Sequence, residues 1–255
     1  MARESRKAPP KFRWRVWLGV IVFTAVFVSS AMAGLKVRLF ALTDPQFVLS
    51  RDHKDALTIL GMNYTSRTKV LRVFSSDFGH SVFSVPLGER RRRLLAIDWV
   101  EDASVSRIWP DRLVVRIKER TPVAFVFFNS GVLLIDSKGI LLDPPPQSQF
   151  TFPVLSGVKE DETDEQRRER VACMARVQED LGYLAKDLSE VDASDPDNIR
   201  IVAQVEQRAV ELIMGDNNFG RRYQNFLNHY PDILKHSPNA KRFDLRLDDR
   251  ITAED

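Results

Sequence analysis

From Val16 to Leu35 no position is charged, whereas beyond Leu35 apolar and polar residues alternate in shorter runs. At about 1.5 Å per helical residue such a stretch spans a hydrocarbon layer of about 30 Å, which predicts one transmembrane helix over 16–35. Trp14 and Trp17 flank its start, as interfacial aromatics do. A removable signal peptide is the rival reading, because Ala31-Met32-Ala33 forms a small-x-small site after an apolar run. A buried soluble helix fits less well, since the stretch has no polar stripe to face water.

Past a short connector at 36–45, the rhythm predicts a first folded unit over 46–120. Ala56 to Leu60 reads as a strand stopped by Gly61, and Thr65 or Ser66 can cap a helix through Thr68 to Phe74. A short extended stretch follows with Phe83 and Val85. Leu87, Leu94, Leu95 and Ile97 then line a second helix whose other side carries Arg90, Arg91, Arg92 and Arg93. Val100 to Ile108 and Leu113 to Lys118 are strands; in the latter Leu113, Val115 and Ile117 alternate with Val114, Arg116 and Lys118. Pro110-Asp111 joins them as a hairpin turn.

A second unit is expected over 121–255. Val123 to Phe128 and Val132 to Ile135 flank the hairpin signal Asn129-Ser130-Gly131, and Ile140 to Leu142 ends at Pro144-Pro145-Pro146. A helix is predicted from Asp164, with Val171, Met174, Ala175, Leu181, Leu184 and Leu188 on its apolar face and Gln166 to Arg170 on the opposite side. Ile199 to Val205 and Ala209 to Met214 pair as strands. Asn217 is expected to cap a last helix in which Tyr223, Phe226, Leu227 and Tyr230 share one face, before an extended segment from Arg242 to Ile251. The fold class is therefore α+β: one transmembrane helix, a β-α-α-β-β domain, and a second mixed, mainly antiparallel β domain with flanking helices.

A β-α-α-β-β unit beside a membrane is the POTRA architecture. The ordered set Asp98-Trp99-Val100, Ala103, Val105, Arg107, Trp109-Pro110, Leu113, Val115 and Glu119-Arg120-Thr121-Pro122 resembles the FtsQ/DivIB family of cell division proteins. The likeness continues through Leu134-Ile135-Asp136 with Gly139, Phe152 to Gly157, and Asp244-Leu245-Arg246. What it implies is a non-enzymatic scaffold of the divisome at the septum. An FtsB/FtsL-like partner would add a β-strand to its C-terminal edge, linking it to the septal synthase FtsW with FtsI. By that resemblance the receiving edge is Arg246, Leu247, Asp248, Asp249, Arg250, Ile251, Thr252 and Ala253, with Tyr223, Phe226, Leu227 and Tyr230 beneath or beside it. Where the family often has an aromatic after Asp-Leu-Arg, this chain has Leu247.

The formal charge of +3 changes the picture only by its placement. Residues 1–15 hold six cations against Glu4, leaving 32 cations and 34 anions in the rest. That basic tail predicts a cytoplasmic N-terminus with the rest of the chain outside; by the resemblance this means an inner-membrane protein with its folded domains in the periplasm. It leaves no domain-scale cationic face for nucleic acid. The run Arg90 to Arg93 reads as a solvated face, with lipid headgroups or an acidic partner as the alternative. His53, His80, His229 and His236 form no zinc spacing, and the lone Cys173 sits beside an apolar face as an inert thiol. Phosphate-cradling loops and nucleophile elbows are missing, so no cofactor, metal or small-molecule substrate is expected. Two other readings remain: a POTRA-containing secretion or outer-membrane assembly factor, and an exported hydrolase with an unrecognised site.

Overall fold

The structure, a computed structural model, describes residues 14–53, 55–146, 148–247 and 250–254. The expected cytoplasmic tail lies outside them apart from its last two residues. Helix α1 runs over Trp14–Thr43, so residues 36–43 of the expected connector continue the helix, and Asp44 caps a 3-10 turn over Pro45–Phe47. The α1 segment Trp17–Thr43 is long and apolar enough to cross a membrane.

Two compact units follow, each discontinuous in sequence: one comprises α1 through Leu60, Val70–Arg93 and Ser104–Arg116, the other Gly61–Lys69, Leu94–Ala103 and the chain from Ile117 onward. The strands β1 (Leu57–Leu60), β2 (Val100–Ile108) and β3 (Arg112–Glu119) form a sheet in the order β1-β3-β2, with β1 parallel to β3. The helices α2 (Arg67–Val73) and α3 (Leu87–Leu95) complete the β-α-α-β-β order. Alternation decides which side of β3 is buried: Leu113, Val115 and Ile117 are buried, while Arg112, Arg116 and Lys118 are exposed.

Arg90 departs from expectation. It lies one helical turn before the buried Leu94, so its guanidinium is buried too. Nε and Nη2 donate to the two Asp77 carboxylate oxygens at 2.6 and 2.7 Å, and Nη2 also reaches Ser76 Oγ at 3.1 Å. Arg91, Arg92 and Arg93 remain exposed, with Arg93 bound to Glu89 at 2.5 Å. The run is therefore one internal ion pair and three surface cations. The expected extended stretch at Phe83 and Val85 is a turn instead, gripped by Arg107, whose Nε and Nη2 donate to the carbonyls of Val82 and Val85 at 2.7 Å each.

The second sheet has nine strands in the order β12-β11-β10-β9-β8-β7-β4-β5-β6. They are β4 (Pro122–Phe128), β5 (Gly131–Asp136), β6 (Leu141–Leu142), β7 (Val154–Ser156), β8 (Leu188–Asp192), β9 (Ile199–Val205), β10 (Arg208–Gly215), β11 (Arg242–Asp244) and β12 (Thr252–Glu254). Helices α4 (Asp164–Leu181) and α5 (Phe219–His236) bury their apolar faces in the same core. Thr163 caps α4 through a reciprocal capping box with Gln166. The buried face is Val171, Met174, Val177 and Leu181; Ala175, expected on it, is exposed because it lies a residue off the 174-to-181 row. The helix was expected to reach Leu188. The α-helix ends at Leu181, where Gly182 takes φ +55°; a 3-10 helix over Gly182–Asp187 then carries Leu184, and Leu188 opens β8.

Arg167, expected on the solvent side of α4, is buried: Nε donates to the Gly139 carbonyl at 2.8 Å, and the rest of the guanidinium meets the Glu162 carbonyl and the Asp164 carboxylate. Gly139 lies in the turn that Asp136 organises, where Oδ1 accepts the N–H groups of Lys138 and Ile140 and Oδ2 accepts Arg120. At φ +80° a Cβ on residue 139 would fall 2.3 Å from the Asp164 carbonyl oxygen and 2.6 Å from the Arg168 nitrogen, both main-chain atoms. Gly139→Ala is therefore expected to destabilise this unit by at least about 1–3 kcal/mol, the usual cost of left-handed strain alone. Urea denaturation followed by circular dichroism checks it, and a change below the error of the fit removes the close-approach argument.

Candidate functional site

The C-terminal rim of the large sheet is where most expected site residues fall. Strand β10 pairs in parallel with β11, matching Glu211, Leu212 and Ile213 to Arg242, Phe243 and Asp244. The pairing extends past β11, since Glu211 N–H donates to the Lys241 carbonyl at 2.8 Å and Leu245 N–H to the Ile213 carbonyl at 2.9 Å. Strand β12 then folds back antiparallel on β11, placing Glu254, Ala253 and Thr252 opposite Arg242, Phe243 and Asp244. β12 is the terminal strand of the sheet, so its outer row of N–H and C=O groups has no strand partner among the described residues.

Phe243 anchors the rim. It is fully buried, with its ring 5.0 Å from Phe226 and 6.1 Å from Tyr230 on α5. Tyr223, Phe226 and Tyr230 are likewise core side chains lying beneath the rim, and Leu227 is half-buried. Burial, with Asp187 nearby, pushes the Tyr223 phenol up to about 12, and burial also raises Tyr230. The helix start differs from expectation: the N-cap is Asn218 in a left-handed conformation rather than Asn217, and it makes no side-chain cap bond. Arg222, in the first turn, does not cap the helix but ties its start to the sheet, donating to the carbonyls of Met214 at 2.5 Å, Asn217 at 3.0 Å and Arg246 at 3.0 Å.

On the outward face a charge ladder crosses three strands. Arg242 lies 3.0 Å from Glu211 on β10 and 3.7 Å from Glu254 on β12. The hydrogen bond to Glu211 raises the Arg242 pKa further. Asp244 is held below its ordinary range by the Arg246 guanidinium, which is raised in turn.

The expected edge over Arg246 to Ala253 is only partly a strand. Thr252 and Ala253 belong to β12, together with Glu254, whereas Arg246, Leu247, Arg250 and Ile251 lie in the connection between β11 and β12. Asp248 and Asp249 lie outside the described residues. The physical cause is Asp244: its Oδ1 accepts the Arg246 N–H at 3.0 Å, a side-chain turn that takes the chain out of the ladder after Leu245. The connection borders a cavity of about 230 Å³ lined by Arg221, Arg222, Asn225, Leu245, Leu247 and Ile251, where Leu247 is 53% exposed. Phe243, Arg222 and Glu254 belong to the rim without having been foreseen. An aspartate two residues before Arg246 was the available signal for the turn.

Among the described residues no group of three or more His, Cys, Asp or Glu is placed to hold a metal ion.

Two family models match the chain: "POTRA domain, FtsQ-type" over residues 55–120 and "Cell division protein FtsQ/DivIB, C-terminal" over residues 124–246. The second match ends before β12. Among curated relatives, the cell division protein FtsQ of Koribacter versatilis is 32% identical over 243 residues, covering 93% of this chain and 69% of the relative. The FtsQ proteins of Alcanivorax borkumensis and Caulobacter vibrioides are 29% and 25% identical, over 66% and 82% of this chain and 61% and 80% of their own lengths.

Proposed function

Because this chain belongs to the FtsQ/DivIB family of cell division proteins, we propose that it is a non-enzymatic, single-pass scaffold of the divisome that captures a partner by strand addition to β12. The family is one of division scaffolds and not of known enzymes. The observation that carries the reading is the position of β12 at the end of a nine-stranded sheet, seated on the buried Phe243 through its pairing with β11. An added strand gains ladder hydrogen bonds from the main chain alone, so no catalytic group is required. The occupant is an FtsB/FtsL-like single-pass division protein, through which the scaffold regulates FtsW and FtsI. The POTRA-type domain receives other divisome members and directs recruitment to the septum. α1 holds the protein in the inner membrane, with the N-terminus cytoplasmic and both domains periplasmic. The Leu247, Arg250 and Ile251 connection flanks the edge, and its side chains contribute selectivity.

Backbone recognition separates two kinds of variant. Removing Thr252 to Asp255 is expected to weaken an FtsB-like partner by about tenfold or more, because each ladder bond contributes about 0.5–1.5 kcal/mol. Thr252→Ala and Glu254→Ala keep the main chain and should stay within a few-fold of the parent. Titration calorimetry of the full-length protein with the purified partner checks both. Undiminished binding after the truncation overturns the edge.

A further inference from the structure

We propose that the β2–β3 turn at Ile108 and Trp109 is an interfacial anchor that rests in the headgroup layer of the membrane crossed by α1; this builds on the reading of α1 as a membrane span. Trp109 is 67% exposed and Ile108 42% exposed, an unusual pair to leave in water at the tip of a turn. Their surroundings point to the bilayer rather than away from it. The Trp109 ring packs edge-on against Phe47 at 5.6 Å and Phe83 at 5.3 Å, and Phe47 in turn packs on Phe40 of α1 at 5.7 Å.

Polar contacts hold this aromatic chain in place. Ser81 Oγ donates to the Ala41 carbonyl at 2.6 Å, Asp44 accepts the Gln46 N–H at 3.0 Å, and Val48 bridges to Ser81. Arg107, two residues before Trp109, grips the carbonyls of Val82 and Val85. Trp109 is thus tied to the end of α1 through the buried Phe47 and Ser81.

Helix geometry places that end. If the uncharged stretch to Leu35 fills the hydrocarbon, Phe40 lies about 7.5 Å farther along the axis. The polar layer on each side of the hydrocarbon is about 5–7.5 Å thick. Val37, Leu39, Phe40 and Leu42 are exposed and apolar there, so α1 itself enters this layer with its apolar side chains outward. Trp109 is joined through Phe47 to Phe40, at the outer limit of that layer; a tryptophan has an apolar body for the acyl boundary and an indole N–H for the headgroups, which is why the residue concentrates at membrane interfaces. One helix alone leaves a domain free to swing and spin. A second contact through Trp109 restricts its tilt.

The test uses full-length protein in vesicles of phosphatidylethanolamine and phosphatidylglycerol, with nitroxide labels introduced by Trp109→Cys, Phe23→Cys or Arg72→Cys in a Cys173→Ala background. Labels at positions 23 and 109 should collide with oxygen more often than with a water-soluble nickel complex, position 109 being the shallower. At position 72 the order should reverse. A label at 109 that behaves like the one at 72, while 23 stays in lipid, overturns the anchor and leaves the span intact. Water-like behaviour at 23 as well removes the span and the anchor together. Ile108→Cys repeats the measurement with Trp109 retained, and must agree. If 109 is water-exposed in vesicles yet shielded in whole cells, its cover is a protein and the lipid assignment is wrong.

Discussion

Asp77→Ala is expected to destabilise the membrane-proximal unit by about 3–5 kcal/mol, the usual result of stripping one partner from a buried ion pair. Arg90 and Asp77 are each about nine-tenths or more buried, and two parallel N–H···O bonds join them. Alanine leaves the guanidinium inside with only Ser76 Oγ at 3.1 Å and the exposed side of Glu89 to answer it. The cost is the desolvation of an uncompensated charge, not the value of the pair itself. The double replacement Asp77→Leu with Arg90→Met should therefore recover much of the loss, whereas Arg92→Ala should leave stability at the parent level. Hydrogen exchange in peptides covering residues 70–93 reads this unit without interference from the other. Parent-like protection in Asp77→Ala, or no recovery in the double variant, sinks the argument.

Regular periodicity was legible where one face of an element meets a core. The alternation of Leu113, Val115 and Ile117 predicted β3, and Asn129-Ser130-Gly131 located the turn between β4 and β5. The failures share a cause. Arg90 and Arg167 look like surface cations because nothing local announces their acceptors: Asp77 lies 13 residues from Arg90, and the Gly139 carbonyl 28 from Arg167. Long-range acceptors turn a charged residue into an internal brace, and only the fold brings them within reach. Leu184 and Leu188 continue the helical spacing of α4, yet the α-helix gives way at Gly182, whose positive φ cannot propagate it, to a 3-10 helix that holds Leu184 and ends at Asp187 before Leu188 enters β8. At the rim, Arg242 to Ile251 is expected as one extended segment, and Arg246 to Ala253, by the resemblance, as the receiving edge. The chain instead leaves the ladder after Leu245, where the Asp244 carboxylate accepts a main-chain N–H two residues on, and rejoins it only at β12. The aromatic face of α5 is legible from its spacing, since intervals of three and four residues suffice to bury Tyr223, Phe226 and Tyr230 together.

If β12 is the receiving edge, as proposed, the division of the rim into short strands makes Phe243 decisive for partner binding. β11 and β12 have three residues each, so the hydrogen bonds that hold them are few, and the free energy of opening this corner comes chiefly from the Phe243 ring against Phe226 and Tyr230. Phe243→Ala removes a fully buried ring and is expected to cost about 3–5 kcal/mol. Most of that loss should appear as local opening, because β10 keeps its seven-position pairing with β9 whether or not β11 is docked. Amides of residues 242–247 and 250–254 should then exchange far faster while those of β9 and β10 keep their protection. Under the strand-addition proposal, partner affinity should fall with the fraction of molecules that still present β12, about tenfold for each 1.4 kcal/mol by which the opened form comes to be favoured. Leu247→Ala, which shortens an exposed side chain, should leave exchange at the rim unchanged. Exchange and binding distinguish the two ways of being wrong. Fast exchange with undiminished binding would mean that the partner docks elsewhere, and unchanged exchange would mean that the ladder, not the ring, holds the corner closed.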